Sequence, residues 1–149
     1  MQDLFKSPSL ALILIPFALI VVPIFISKIS GWSALARRFN STLPFTGKIW
    51  RAKSARLRSG VGYNNCLTIG AAPEGLYLAI MISFIFRGHP PLLIPWSEVF
   101  WVADKKTFGI ALTQLSLGRE EAVPFTIRKS LAAEIQAAAG ASWPVQTIR

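Results

Sequence analysis

Residues Leu10–Ile26 read LALILIPFALIVVPIFI, seventeen consecutive residues without a charged side chain. As an α-helix this run extends about 26 Å, and Ser9 and Ser27 lengthen it toward the roughly 30 Å of a bilayer's hydrocarbon core. The stretch therefore predicts one membrane-spanning helix over residues 9–27, which follows a short tail over residues 1–8.

A cleavable signal peptide is the competing interpretation of the same stretch. Lys6 precedes the apolar run, and the ALA sequence at 34–36 resembles a small-residue cleavage site. The run is longer than the apolar core of a usual signal peptide, and the ALA sequence lies eight residues beyond it in a segment typical of a helix. These two features favour a permanent anchor.

Charge on either side of the run predicts its direction in the membrane. Lys6 is offset by Asp3 before the run. After the run, every charged residue as far as Arg51 is basic. The positive side of a membrane helix is normally cytoplasmic. We therefore expect a single-pass protein of the cytoplasmic (inner) membrane, with its N-terminus outside and residues 28–149 in the cytoplasm, where a reduced Cys66 is ordinary.

The composition fits one domain attached to this helix. Of 149 residues, 52% are apolar and 15% are charged, and the mean hydropathy is +0.47. These values exclude the disordered, collagen-like and coiled-coil classes. The single Cys66 and the single His89 exclude an intramolecular disulfide framework and a His-based metal cluster, and we expect no cofactor.

A short amphipathic helix is predicted directly after the membrane segment. From Trp32 to Phe39 the apolar residues recur at i, i+3, i+4 and i+7, and two arginines lie off that stripe. Either the stripe lies in the lipid headgroup layer, with Trp32 at the interface, or it packs onto the domain that follows. Residues 28–46 are thus predicted to form an interfacial amphipathic helix and a linker.

From Gly47 onward the pattern is typical of short strands separated by turn residues, which favours an antiparallel meander. The predicted strands are Lys48–Arg58, Cys66–Ala71, Gly75–Phe86, Leu92–Trp96, Glu98–Ala103, Thr107–Leu115 and Ala122–Phe125. The predicted turns include Asp104–Lys106 and the loop Gly88-His89-Pro90-Pro91. Helical spacing and a terminal Gly140 then predict one closing helix over Ile127–Ala139.

The apolar run Leu76–Phe86 raises the question of a second membrane span. Its eleven residues are too few to cross a bilayer as a helix, and Arg87 followed by two prolines ends it. A long, highly buried strand is the better interpretation.

Three stretches of this region carry a family resemblance: CLTI at 66–69, GLYL at 75–78 and IPWSEV at 94–99. With a meander of about seven strands closed by an amphipathic helix, they resemble bacterial pleckstrin-homology-like (PH-like) and GRAM-like domains. The chain also looks like small bacterial membrane proteins with one anchor. The resemblance implies an α+β PH-like domain over residues 47–140 and a C-terminal tail over residues 141–149. Many PH domains carry a tryptophan within the closing helix, whereas Trp143 lies beyond it.

Few residues suit catalysis, so we expect a protein that is not an enzyme. Asp104, Glu120 and Glu121 fall in predicted hairpin turns. His89 is interpreted as an exposed or capping loop residue, and Cys66 as a small residue of the core.

Charge is the strongest signal outside the predicted core. Eight basic residues and no acid lie between positions 28 and 58: Lys28, Arg37, Arg38, Lys48, Arg51, Lys53, Arg56 and Arg58. Next to a membrane helix such a segment is expected to contact the anionic leaflet; a solvated face and an acidic partner protein are the alternatives. Specific inositide recognition is not implied, because the basic residues of the first strand do not closely match the PH pattern. A nucleic-acid partner is not expected, because the anchor supplies a simpler reason for the charge.

These observations predict a non-enzymatic, membrane-anchored binding or scaffold protein that contacts anionic lipids. The alternative is a structural accessory subunit of a larger integral complex of respiratory or photosynthetic type, in contact with other membrane-protein subunits. Pro16 and Pro23 and the apolar run that contains Phe100 and Trp101 suit such protein contacts.

Overall fold

The computed structural model describes residues 8–81, 88–120 and 122–144. Its α-helices are α1 (Pro8–Ser30), α2 (Trp32–Phe39) and α3 (Lys129–Ala139). Its strands are β1 (Lys48–Arg56), β2 (Gly62–Ala72), β3 (Gly75–Ile80), β4 (Leu92–Ile94), β5 (Val99–Thr107), β6 (Ile110–Leu117) and β7 (Val123–Arg128). The prediction of an N-terminal apolar helix, about seven antiparallel strands and a closing helix is confirmed. The part of the predicted strand Gly75–Phe86 beyond residue 81 lies outside the described residues. The predicted turn residue Glu121 and the outer ends of both predicted tails lie outside them as well.

Helix α1 is long and apolar enough to cross a membrane by length and composition. Its 23 residues run without interruption through Pro16 and Pro23, and at about 1.5 Å per residue they extend about 34 Å. Twelve large apolar side chains between Leu10 and Phe25 are exposed. Burial begins only toward the C-terminal end of α1, where Pro23, Ser27 and Ser30 meet the rest of the chain.

The seven strands form one curled antiparallel sheet in the order β4-β3-β2-β1-β7-β6-β5. Strands β1 and β7 share only the pair Arg56–Thr126, and at this seam the sheet folds back on itself. The inward side chains of both halves, such as Leu67 and Phe125, form the core. Helix α3 covers that core with Leu131 and Ile135, as an apolar stripe at helical spacing requires.

The predicted turn at Asp104–Lys106 is wrong, because these residues continue β5. The turn is instead formed by Phe108 and Gly109, whose φ angles are +49° and +78°, and Thr107 pairs with Ile110 across it. Positive φ at both central residues is typical of the two-residue hairpin turn that matches the twist of the strands. Asp104 is exposed in the middle of β5 and accepts a hydrogen bond from Thr113 at 2.9 Å.

The folded unit extends beyond the predicted boundaries of 47–140 at both ends. In α2, Trp32 is fully buried and its indole Nε1 donates to the carbonyl oxygen of Pro90 at 2.9 Å. Trp143, in the predicted tail, is also buried and packs against Trp96 and Trp101. Of the two placements open for the α2 stripe, the structure therefore has the stripe packed onto the sheet domain.

Candidate membrane-facing site

The end of α1 joins the sheet domain through a buried chain of polar side chains. The phenol oxygen of Tyr63 lies 2.8 Å from Ser30 Oγ and 2.8 Å from His89 Nε2, so it can donate to one and accept from the other. Ser30 ends α1, Tyr63 is the second residue of β2, and His89 precedes β4. Three segments far apart in sequence are thus fastened at one point.

Burial of Tyr63 raises the pKa of its phenol to about 12, and the hydrogen bond from Ser30 only partly offsets this rise. The phenol therefore stays protonated at physiological pH and keeps its hydrogen to donate. Cys66, on the same strand, is half-buried, and burial also raises the pKa of its thiol. A raised pKa keeps the thiol protonated, which makes it a poor nucleophile.

His89 was predicted to be an exposed or capping loop residue; it lies in the loop before β4, but the prediction of exposure is wrong. Its side chain is buried, and its ring lies 5.2 Å from that of Trp32 and 5.5 Å from that of Tyr63. The two prolines after it hold the loop, but aromatic residues from α2 and β2 cover the imidazole. Sequence reasoning missed both Tyr63 and Ser30, because no local pattern connects them to His89.

Arg58 closes the C-terminal end of α1. Its Nη2 donates to the carbonyl oxygen of Lys28 at 3.0 Å, and its Nε donates to that of Ile29 at 3.3 Å. These carbonyls belong to the last turn of a helix, where intrahelical donors are missing and the helix dipole favours a cation. The side chain predicted to contact lipid is therefore also a helix cap.

Close packing completes this joint, which we call the α1 junction: Ser30, Arg58, Tyr63, Gly88 and His89. The φ of Gly88 is +84°, and a Cβ built on it would lie 3.0 Å from Ser27 Oγ and 3.2 Å from Ile24 Cα. Only a residue without a side chain lets the loop approach the helix this closely.

The eight basic residues predicted to contact lipid fall into two groups. Lys28 and Arg58 lie at the α1 junction, and the exposed Arg37 and Arg38 lie on α2, which packs beside it. Arg38 lies 3.5 Å from Glu98 and 4.0 Å from Glu120, so carboxylates partly neutralise it. The other four residues lie on β1: Lys48, Arg51, Lys53 and Arg56. Eight residues of strand separate the ends of β1 by about 26 Å, so the structure does not bring all eight together.

The four basic residues of β1 do not share one face of the sheet. Lys48 and Lys53 pair with the inward-facing Ala71 and Leu67, and Lys53 is half-buried. The register shifts around Ala52, whose φ is +55°, so the simple alternation of the strand is broken there. Arg51 and Arg56 lie on the opposite, outer face. The four side chains are therefore divided between the two faces of the sheet.

Phe100 and Trp101, predicted to contact a protein partner, are adjacent in β5 and so lie on opposite faces. Trp101 pairs with the buried Leu115 and packs against Trp143, which makes it part of the core margin. Phe100 lines an open groove of about 610 Å³, and the guanidinium of Arg119 lies over its ring at 5.7 Å. Of the two residues, only Phe100 lies on this outer groove.

Within residues 8–81, 88–120 and 122–144, no group of three or more His, Cys, Asp or Glu side chains could hold a metal ion. The side chains of Ser30, Tyr63 and His89 are buried, and their hydrogen bonds connect helix α1 to the sheet. The exposed chemistry around the junction is cationic. Comparisons of the chain with protein families, with curated proteins and with solved structures find no significant match.

Proposed function

We propose that the chain is a single-pass membrane protein whose PH-like sheet domain is a non-enzymatic binding module held against an anionic leaflet. The observation that carries this proposal is the position of Arg58, which binds the end of the apolar helix and lies beside the exposed Lys28. Basic residues and the end of a bilayer-length helix thus occupy one place, which is where a cytoplasmic leaflet presents its anionic headgroups.

The exposed apolar surface of α1 supports membrane insertion. Twelve large apolar side chains in water would form a patch far larger than soluble monomers carry. The burial of α2 supports a permanent anchor over a signal peptide. Cleavage after Ala36 would remove Trp32 and Leu35, both fully or almost fully buried, from the core of the domain.

The strand order and the helix that closes the sheet agree with the PH-like resemblance in the sequence. The N-terminus outside and the sheet domain in the cytoplasm follow from the basic excess after residue 27. Three basic residues close to the leaflet, Lys28, Arg37 and Arg58, would each contribute about 1 kcal/mol within a Debye length of roughly 8–10 Å. That sum is enough to hold the domain in one orientation on the membrane.

Energy transfer between a fluorophore on the domain and acceptor-labelled lipid tests this proposal on the full chain in nanodiscs. The fluorophore is attached through Thr42→Cys, an exposed position after α2, in a Cys66→Ser background. Adding 30% phosphatidylglycerol to phosphatidylcholine should raise the transfer, and salt should reverse the increase. Lys28→Glu with Arg37→Glu should remove it.

The matched control is Lys48→Glu with Arg51→Glu, which makes the same change in net charge at the other end of β1. This pair should leave the increase intact. The proposal would be contradicted if anionic lipid did not raise the energy transfer at low salt. It would also be contradicted if both pairs of substitutions lowered the transfer equally.

A second candidate function is a structural accessory subunit of a larger integral complex. The outer groove beside Phe100, lined by Val102 and Ala122 and flanked by Arg119, favours it because an apolar groove suits a neighbouring subunit. Extraction in mild detergent followed by identification of co-purifying chains tests it. Phe100→Asp should detach a true neighbour, whereas Leu43→Asp, at an exposed position after α2 and outside the groove, should not.

A further inference from the structure

The tip of the β5–β6 hairpin carries an aromatic side chain that packs against nothing. Phe108 is 99% exposed, and its φ of +49° lies in the left-handed region that phenylalanine rarely adopts. Asn and Asp are the ordinary residues at this turn position because they tolerate that conformation. Ile110, on the other side of the turn, is 45% exposed. Neither folding nor the turn geometry accounts for an exposed phenylalanine here.

A basic groove of about 530 Å³ begins at this tip and extends across the outer face of the sheet. Lys105 pairs with Leu112, which pairs with Arg128, so two cations flank one apolar side chain in a row across three strands. Neighbouring strands lie about 4.8 Å apart, which puts the backbones of the two cations about 10 Å apart. Arg56 lines the same groove, and no Asp or Glu is among its lining residues in the described part of the chain.

This surface, the tip groove, comprises Arg56, Lys105, Phe108, Ile110, Leu112 and Arg128. At one end the groove reaches the α1 junction, where Arg56, Gly60 and Gly62 line it, and Phe108 lies at its other end. Gly31, the residue after α1, packs against Val123, because a Cβ built on Gly31 would meet the Val123 side chain at 2.8 Å. Val123 pairs with Leu117, the last residue of β6. Ile110 lies seven residues further along the strand, or about 23 Å. That distance exceeds a Debye length of roughly 8–10 Å, so the field of a leaflet at the junction is screened there.

We infer that the tip groove binds an acidic segment of a partner protein, with Phe108 as its aromatic anchor. Paired cations around Leu112 fit a segment in which carboxylates flank an apolar residue, and a protruding aromatic is the side-chain type that dominates interface energetics. The inference stands apart from the lipid contact of the proposed function, which uses Lys28, Arg37 and Arg58 at the opposite end of the groove from Phe108.

A synthetic ten-residue peptide of alternating Glu and Leu is the probe, and fluorescence anisotropy on the full chain in neutral phosphatidylcholine nanodiscs is the measurement. Neutral lipid removes the contribution of an anionic leaflet. Lys105→Glu with Arg128→Glu should weaken binding by at least about tenfold, and Phe108→Ala by about tenfold. Lys28→Glu with Arg37→Glu makes the same change in net charge and should leave the affinity unchanged. Lys105→Gln with Arg128→Gln gives a milder pair, which should also weaken binding.

A photocrosslinking side chain at position 108 in native membranes then tests the class of partner. Adducts to an acidic peptide of another protein, lost in the Lys105→Glu and Arg128→Glu chain, support the inference. Equal weakening by both charge reversals, adducts only to lipid, or adducts only to a second copy of this chain would each overturn it.

Discussion

Arg58 Nη2 donates a hydrogen bond to the backbone carbonyl oxygen of Lys28 at 3.0 Å, so a side chain that follows β1 closes the last turn of α1. Arg58→Ala should loosen the helix from the sheet, because two carbonyls lose a charged donor, at a cost of about 1–3 kcal/mol. Limited proteolysis near Gly31 measures the loosening. Arg56→Ala, two residues earlier and without such a bond in the described structure, is the control, and equal cleavage in both variants would refute the capping role.

Gly88→Ala should weaken the same junction by sterics. The new Cβ would lie 3.0 Å from Ser27 Oγ, whereas Gly109 has an equally positive φ and nothing within 4 Å. Gly109→Ala therefore carries the same backbone strain without the clash. We expect the melting temperature in detergent to fall further for Gly88→Ala, by an amount equivalent to about 1–3 kcal/mol. Equal losses would mean that the contact with α1 is unimportant.

Because of Tyr63, the free energy of unfolding should decrease as the pH rises into the alkaline range. Its phenol has a pKa of about 12 in the folded chain against an ordinary value of 10.0. The folded state therefore holds its proton more tightly than the unfolded state, so this contribution is complete below pH 10 and is lost as pH rises from 10 to 12. The full loss is about 3 kcal/mol. Thermal unfolding at pH 9 to 11 should show the decline.

Tyr63→Phe should flatten that decline, because no phenol remains there to titrate. Tyr77→Phe removes the other tyrosine of the chain and is the matched control. A decline that survives Tyr63→Phe, or that disappears in Tyr77→Phe, would rule out this origin.

Leu131→Asp should unfold the sheet domain, because Leu131 is buried on the face of α3 that covers the core. A carboxylate buried at this position loses its hydration without gaining a hydrogen-bond or ion-pair partner, which destabilises the folded state by several kcal/mol. Ala133→Asp adds the same charge at an exposed position of the same helix and should fold normally. Circular dichroism of both full-length chains in detergent gives the comparison.

Phe108→Cys offers a test of topology, because this position is almost fully exposed. In a Cys66→Ser background, a membrane-impermeant thiol reagent should label this cysteine only after cells are permeabilised. A cysteine at residue 2 should be labelled on intact cells. The opposite pattern would reverse the orientation that the basic residues indicate.

The order of helices and strands could be predicted because its signals are local. Alternating apolar residues, turn residues and helical spacing each act within about ten positions. The hairpin at Phe108 was misplaced for the same reason. Asp104, Lys105 and Lys106 have the composition of a turn, whereas Phe108 adopts a positive φ against its own preference.

The candidate site was less predictable because it depends on pairings between distant residues. Ser30 and Tyr63 are 33 positions apart, and Tyr63 and His89 are 26 apart. No periodicity connects such residues. The basic residues were identified correctly as a charge excess, but the register shift at Ala52 and the length of β1 decide which of them share a surface.

The bond from Trp32 to the carbonyl of Pro90 joins positions 58 residues apart. At about 5–20 residues per second, a ribosome adds those residues in roughly 3–12 s. During that interval α1 is already made while the sheet that buries the α2 stripe does not yet exist. An amphipathic helix next to a bilayer binds the headgroup layer. With α1 spanning the bilayer as proposed, we expect the membrane surface to be the first partner of Trp32 in time, and the sheet domain to replace it once β4 has been synthesised.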